Sequence, residues 1–241
     1  MNSQSNTLTS ESRHRGPNLG IVAIIFTVLF LAGLYPVTMF GGKPYFPGPW
    51  ESATTITTFF QLQSSAVLLC SFFHFGAAIA LGIFTATVVS QLRFLGVRAA
   101  GAYIALFGGL ATAFNMGASA SVLWVMARPG IAQDSTVVQA LYYLQYVFGG
   151  PGFSVPLGLL MAGVSIPAGF MKLLPNWLVV FGFLLAVCGE LSWLNLISPK
   201  ALFLIPLTRF PAFIWLIATG FLLPKTFVAD RSNRHAPNIA A

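Results

Sequence analysis

Read for its alternation of apolar and polar positions, the chain is almost entirely apolar runs too long for a globular core. A membrane-spanning helix needs about 20 mostly apolar residues to cross a hydrocarbon layer of roughly 30 Å. Six windows meet that length: 19–40, 62–92, 99–126, 137–170, 177–197 and 202–224. The pattern therefore predicts an all-α, polytopic membrane bundle of six transmembrane helices. The remainder is a polar tail over 1–18, expected to be disordered, and a second tail over 226–241. A cleaved leader competes for the first window. Its apolar run is followed by Tyr35-Pro36-Val37-Thr38 and not by a small-residue cleavage site, so a retained helix is expected.

Two windows are longer than a bilayer requires. A helix from Ser52 to Leu92 would extend about 60 Å, with its first turns, TTITTFFQLQ, outside the hydrocarbon or among headgroups. The fourth window is interrupted by GGPGFSVP, Gly149 to Pro156. Proline removes a backbone donor and glycine weakens the helix, so a break is predicted there. Gly41 to Trp50 holds three prolines and three glycines and reads as a loop, with Tyr45 and Trp50 suited to the membrane interface. Asp134 or Ser135 is placed to cap the fourth helix.

A weak internal match suggests a parallel repeat of helix pairs. LGIFTATV (Leu81 to Val88) resembles LGLLMAGV (Leu157 to Val164), RFLG (Arg93 to Gly96) resembles KLLP (Lys172 to Pro175), and GGLATAFN (Gly108 to Asn115) lies over CGELSWLN (Cys188 to Asn195).

Composition agrees with a membrane class: 56% of residues are hydrophobic and only 7% charged, against about 25% charged in soluble domains. The net charge of +7 is explained by where the cations fall. Arg13, Arg15, Arg93, Arg98, Lys172, Lys225, Arg231 and Arg234 map to one side, against Lys43, Arg128 and Lys200 on the other. Basic residues gather in short cytoplasmic loops, so both termini are expected inside. No soluble segment interleaves basic and aromatic residues, and no nucleic-acid partner is expected. Cys70 and Cys188 fall within spans at different depths and read as packing residues.

The candidate chemistry is confined to few positions. Counting upward from each basic boundary at 1.5 Å per residue puts His74, Asn115, Gly152, Glu190 and Arg209 roughly 21–30 Å from the inner side, in one layer of the outer half. Gly150 belongs to the same layer through the GGPG break. An ionisable group in a span costs roughly 2.5–3.5 kcal/mol on insertion scales and is usually paired or facing a cavity. Glu190 and Arg209 lie on successive spans at similar depth, so an ion pair between them is expected. A ligand-binding or proton-carrying role for Glu190 is the alternative. His14 and His235 are in the tails, so bis-histidine haem ligation inside the membrane is excluded. His74 with Cys70 supplies only two ligands, and a hydrogen-bonded histidine is expected instead of a metal site. The break would expose carbonyls and amides that protein or water must satisfy, as in discontinuous transporter helices or a plain kink. No phosphate loop, nucleophile elbow or cofactor motif appears.

HFGAAIALGIFTATVVSQLRFLGV, GGPGF and IPLTRFPAFIWLIA resemble a family of uncharacterised small multi-pass membrane proteins of bacteria, over about Leu19 to Lys225. The resemblance implies a bacterial inner membrane, and it carries no substrate or catalytic residue. The function expected is non-enzymatic: binding or moving a small or lipidic molecule through the polar layer. The alternative is a structural or accessory subunit whose polar layer only packs helices. The partners expected are the lipid bilayer and that ligand.

Overall fold

A computed structural model of the chain describes residues 11–38 and 46–228. Lys43, Tyr45, Arg231, Arg234 and His235 lie outside the described residues. Among the described residues eight α-helices run in order: α1 (Leu19–Leu34), α2 (Ala53–Leu62), α3 (Ser64–Phe94), α4 (Gly101–Met126), α5 (Ser135–Gly149), α6 (Pro151–Phe170), α7 (Asn176–Leu191) and α8 (Leu204–Leu222). Joining α5 to α6 and adding the flanking 3₁₀ turns gives six segments long and apolar enough to cross a membrane. The all-α bundle read from the sequence is thus the observed architecture.

The six segments close into a ring. Each packs on the next in the order α1, α3, α4, α6, α7, α8, and α8 returns to α1. Small residues set the approach of these helices, because lipid supplies no hydrophobic drive to squeeze them together. A Cβ on Gly163 of α6 would stand 2.5 Å from the Ala105 amide nitrogen of α4, and one on Gly108 would stand 2.5 Å from the Pro156 carbonyl oxygen. Both obstacles are backbone and cannot turn aside. The small-residue run of the third span is therefore the α4–α6 contact.

At one end of the ring, α3 and α6 finish in the same way. Val97 N–H reaches the Leu92 carbonyl at 3.0 Å and Gly96 N–H the Arg93 carbonyl at 3.0 Å. Leu173 and Lys172 repeat this on Ala168 and Gly169 at 2.8 and 3.1 Å. These are Schellman closures, which put one residue in the left-handed region: Gly96 at φ 92° and Lys172 at φ 53°. Gly96 and Lys172 follow Leu81 and Leu157 at equal spacing, so the turn equates Gly96 with Lys172 and not with Pro175 as the RFLG–KLLP match had it.

The same end carries structure where only tail was expected. Glu11–Arg13 (β1) pairs antiparallel with Thr226–Val228 (β2), Ser12 facing Phe227. Gln91 anchors this ribbon, its Nε2 donating to the Leu223 and Pro224 carbonyls at 3.1 and 2.7 Å. Residues 1–10 lie outside the described residues.

The opposite end differs from the single long helix expected from Ser52. The chain breaks at Gln63, whose φ and ψ of −114° and 23° leave the helical region. Ser52 caps α2 through Thr55 N–H, and α2 buries Ile56, Phe59 and Phe60 in a second apolar cluster with Val138 and Tyr142. Gln61 Nε2 adds a bond to the Ala132 carbonyl at 2.8 Å. Burial of that face holds α2 against α5 and the Ile131–Gln133 turn. Asp134 caps α5 as expected, accepting from the Thr136 and Val137 amides.

Candidate functional site

The interruption of the fourth span is narrower than the GGPGFSVP stretch. α5 ends at Gly149, α6 begins at Pro151, and only Gly150 leaves the helix, at φ −92° and ψ −102°. The consequences follow from missing donors. Pro151 has no N–H for the Val147 carbonyl. Phe153 N–H turns to the Gly150 carbonyl at 3.2 Å, which leaves the Gly149 carbonyl without a helical donor. Pro156, inside α6, has no N–H to offer Gly152.

The polar layer supplies two of the three missing donors. Asn115 of α4 donates from Nδ2 to the Gly152 carbonyl at 2.6 Å. Arg209 of α8 donates from Nη2 to the Gly149 carbonyl. Four of the residues read from the sequence, Asn115, Gly150, Gly152 and Arg209, thus meet at one break.

Aromatic rings carry the cluster on to His74. The Arg209 guanidinium carbon lies 4.8 Å from the Phe153 ring centre and 5.6 Å from that of Phe30. Phe30 stacks on His74, with centroids 4.7 Å apart and planes at 30°. His74 Nε2 faces the Phe30 carbonyl at 3.2 Å. A carbonyl only accepts, so Nε2 bears the hydrogen, and Nδ1 of the neutral ring accepts from the Cys70 thiol at 3.5 Å. His74 is the hydrogen-bonded interior histidine expected. Cys70 and Cys188 are both free thiols, and no group of three His, Cys, Asp or Glu able to hold a metal occurs among the described residues.

Glu190 stands apart, and the expected ion pair with Arg209 is not formed. No hydrogen bond or ion pair joins the two; Glu190 Oε1 and Arg209 Nε are both buried without a partner. The Glu190 carboxyl lies against α6, where a Cβ on Gly158 would come within 3.1 Å of Oε1. Gly158 lies about 9 Å along α6 from Gly152 at 1.5 Å per residue. The Glu190 carboxyl therefore meets α6 away from the level at which Arg209 and Asn115 meet the break. Between the two charges the chain passes through 3₁₀ turns at Ser192–Leu196 and Pro199–Phe203, which set the rotation of α8 relative to α7.

Sequence reasoning missed a second belt of polar side chains. Gln145 Nε2 donates to Ser119 Oγ at 3.1 Å, and Tyr146 OH donates to Asn195 Oδ1 at 2.8 Å. Asn195 Nδ2 bonds the Ser192 carbonyl, and Ser192 Oγ donates to the Gly189 carbonyl at 2.6 Å. The available signal was the Gln145-Tyr146 pair one turn before the break.

A pocket of about 490 Å³ opens at the α2 end of the bundle and reaches this belt. The Phe46–Glu51 loop, α5 and α8 form its walls, with Trp50, Glu51, Gln145, Tyr146 and Leu202 lining it and Arg209 at its base. Glu190 does not line it. A larger groove of about 880 Å³, lined by Leu29, Phe72, Phe75 and Trp124 among others, lies on the outer apolar face of α1, α3 and α4.

Compared with protein families, curated proteins and solved structures, the chain shows no match. The six apolar spans expected from the sequence are present in the structure. Six apolar helices packed in a ring, with their polar side chains turned inward to a broken span, make this chain a multi-pass α-helical membrane protein.

Proposed function

We propose that the chain binds or moves a small or lipidic molecule, taken up from the side opposite its termini through the Arg209 pocket. The observation that carries this reading is the pocket itself, which descends to a broken helix with a cation at its base. Its volume falls in the range of about 300–1,000 Å³ usual for small-molecule sites. Discontinuous helices at membrane depth commonly form such sites. The reading is non-enzymatic: His74 and Glu190 do not line the pocket and face different neighbours. Arg13, Arg15, Arg93, Arg98, Lys172 and Lys225 gather at the ribbon end, which supports cytoplasmic termini in a bacterial inner membrane.

A structural role is the second reading, favoured by the donation of Asn115 and Arg209 to carbonyls that the break leaves free. Thiol labelling in intact cells separates the two. With Cys70→Ala and Cys188→Ala as background, Leu202→Cys should react with a membrane-impermeant maleimide added outside. Asn176→Cys, at the other end, should react only after permeabilisation. Leu202→Cys that reacts only after permeabilisation, or not at all, would sink the outward pocket.

A further inference from the structure

We infer that the pocket takes an oxyanion, a single carboxylate or phosphate group, held by the Arg209 guanidinium. This rests on the pocket reading above and names the ligand class.

The chain has five acidic residues, four of them among the described residues. Glu11, in β1, belongs to the opposite end of the bundle, and Asp230 lies outside the described residues. Asp134 Oδ1 caps α5, accepting from the Thr136 and Val137 amides at 2.9 and 3.2 Å. Glu190 lies against Gly158. Glu51 is the one acid in the pocket wall, and its Oε1 accepts the Gly48 amide at 2.8 Å, fixing the loop at the rim. Among the described residues no acid makes an ion pair with Arg209 within 4.0 Å. The segment 39–45 adds no acid either, reading Met-Phe-Gly-Gly-Lys-Pro-Tyr.

The partners that Arg209 does have are neutral. One donor goes to the Gly149 carbonyl, two aromatic faces flank the carbon, and Nε is buried with no acceptor. A guanidinium has five donors in a planar fork that matches a carboxylate or phosphate. A charge at membrane depth without a counterion is costly, and an anion entering the pocket removes that cost. With one cation at the base, the match is to one negative group. The rim residues Trp50, Leu202 and Pro206 then receive the apolar or interfacial part of the ligand.

The test uses the Leu202→Cys protein purified in detergent, with the rate of maleimide labelling as readout. One arm titrates sodium acetate and inorganic phosphate against chloride at equal ionic strength. The other adds phosphatidylglycerol against phosphatidylcholine in mixed micelles. At about ten times the dissociation constant, an occupied site should slow labelling about tenfold. Slowing by acetate or phosphate identifies a free anion, and slowing by phosphatidylglycerol alone identifies a lipid headgroup; either supports the inference. Arg209→Lys should keep part of the protection and Arg209→Gln should lose it, but the arms without an Arg209 change decide even if these variants fail to fold. Rapid labelling slowed by no anion overturns the inference and leaves the pocket standing. Absence of labelling removes the pocket and the inference together.

Discussion

If Asn115 is held in place by the carbonyl that Pro156 abandons, restoring the missing donor should make Asn115 dispensable. Asn115→Ala leaves the Gly152 carbonyl, now capped at 2.6 Å, without its side-chain donor. Stranding a buried acceptor costs about 1–3 kcal/mol. Measured interhelical bonds in membranes are weaker, averaging about 0.6 and reaching about 1.7 kcal/mol. A loss of about 1 kcal/mol is therefore expected. Pro156→Ala gives residue 156 an N–H four residues beyond Gly152, the spacing of a helical hydrogen bond. With Asn115 present, the new donor meets a carbonyl already satisfied, and the change registers mainly the lost ring volume at a buried position. That volume term occurs in the single and double variants alike and cancels in the cycle. In the double variant the backbone donor replaces the side-chain donor, so most of the Asn115→Ala loss should vanish. Reversible unfolding of the detergent-purified proteins, by heat or by titrated SDS, supplies the four stabilities. Losses that add to within about 0.5 kcal/mol would show no coupling and refute the link between break and cap.

The structure also reverses the expectation for the two buried charges. Since Glu190 and Arg209 do not touch, Glu190→Gln and Arg209→Gln should lower thermal stability independently, with a coupling below about 0.5 kcal/mol in the double variant; recovery in the double variant would reinstate the ion pair. For topology, reporter fusions after Lys172 and after Lys225 should both report cytoplasm, and a periplasmic signal at either would overturn the six-span orientation.

Depth was legible in the sequence because a bilayer fixes length. The basic residues mark one boundary, a helix rises 1.5 Å per residue, and His74, Asn115, Gly152 and Arg209 accordingly meet at one level. Direction around each helix was not legible. In a soluble protein polar faces point to water and apolar faces inward, so periodicity gives the rotation. Here lipid-facing Phe114 and core-facing Met116 are both apolar, and nothing in the pattern around Glu190 said that its carboxyl faces Gly158. The bend at Gln63 was hidden for a related reason: no proline or glycine marks it, and burial of Ile56, Phe59 and Phe60 against Val138 and Tyr142 decides it.

The break itself ties these observations together. Pro156 and the turn at Gly150 leave the carbonyls of Gly152 and Gly149 without helical donors, and hydrocarbon cannot supply them. Asn115 meets one with a neutral amide and adds no charge to the membrane. Meeting the other with Arg209 places a full charge there, with donors beyond the one bond to Gly149. A neutral donor would have served that carbonyl with less desolvation, so the cap alone does not account for an arginine. The remaining donors, the aromatic faces beside them and the pocket above them account for it if the site holds an anion.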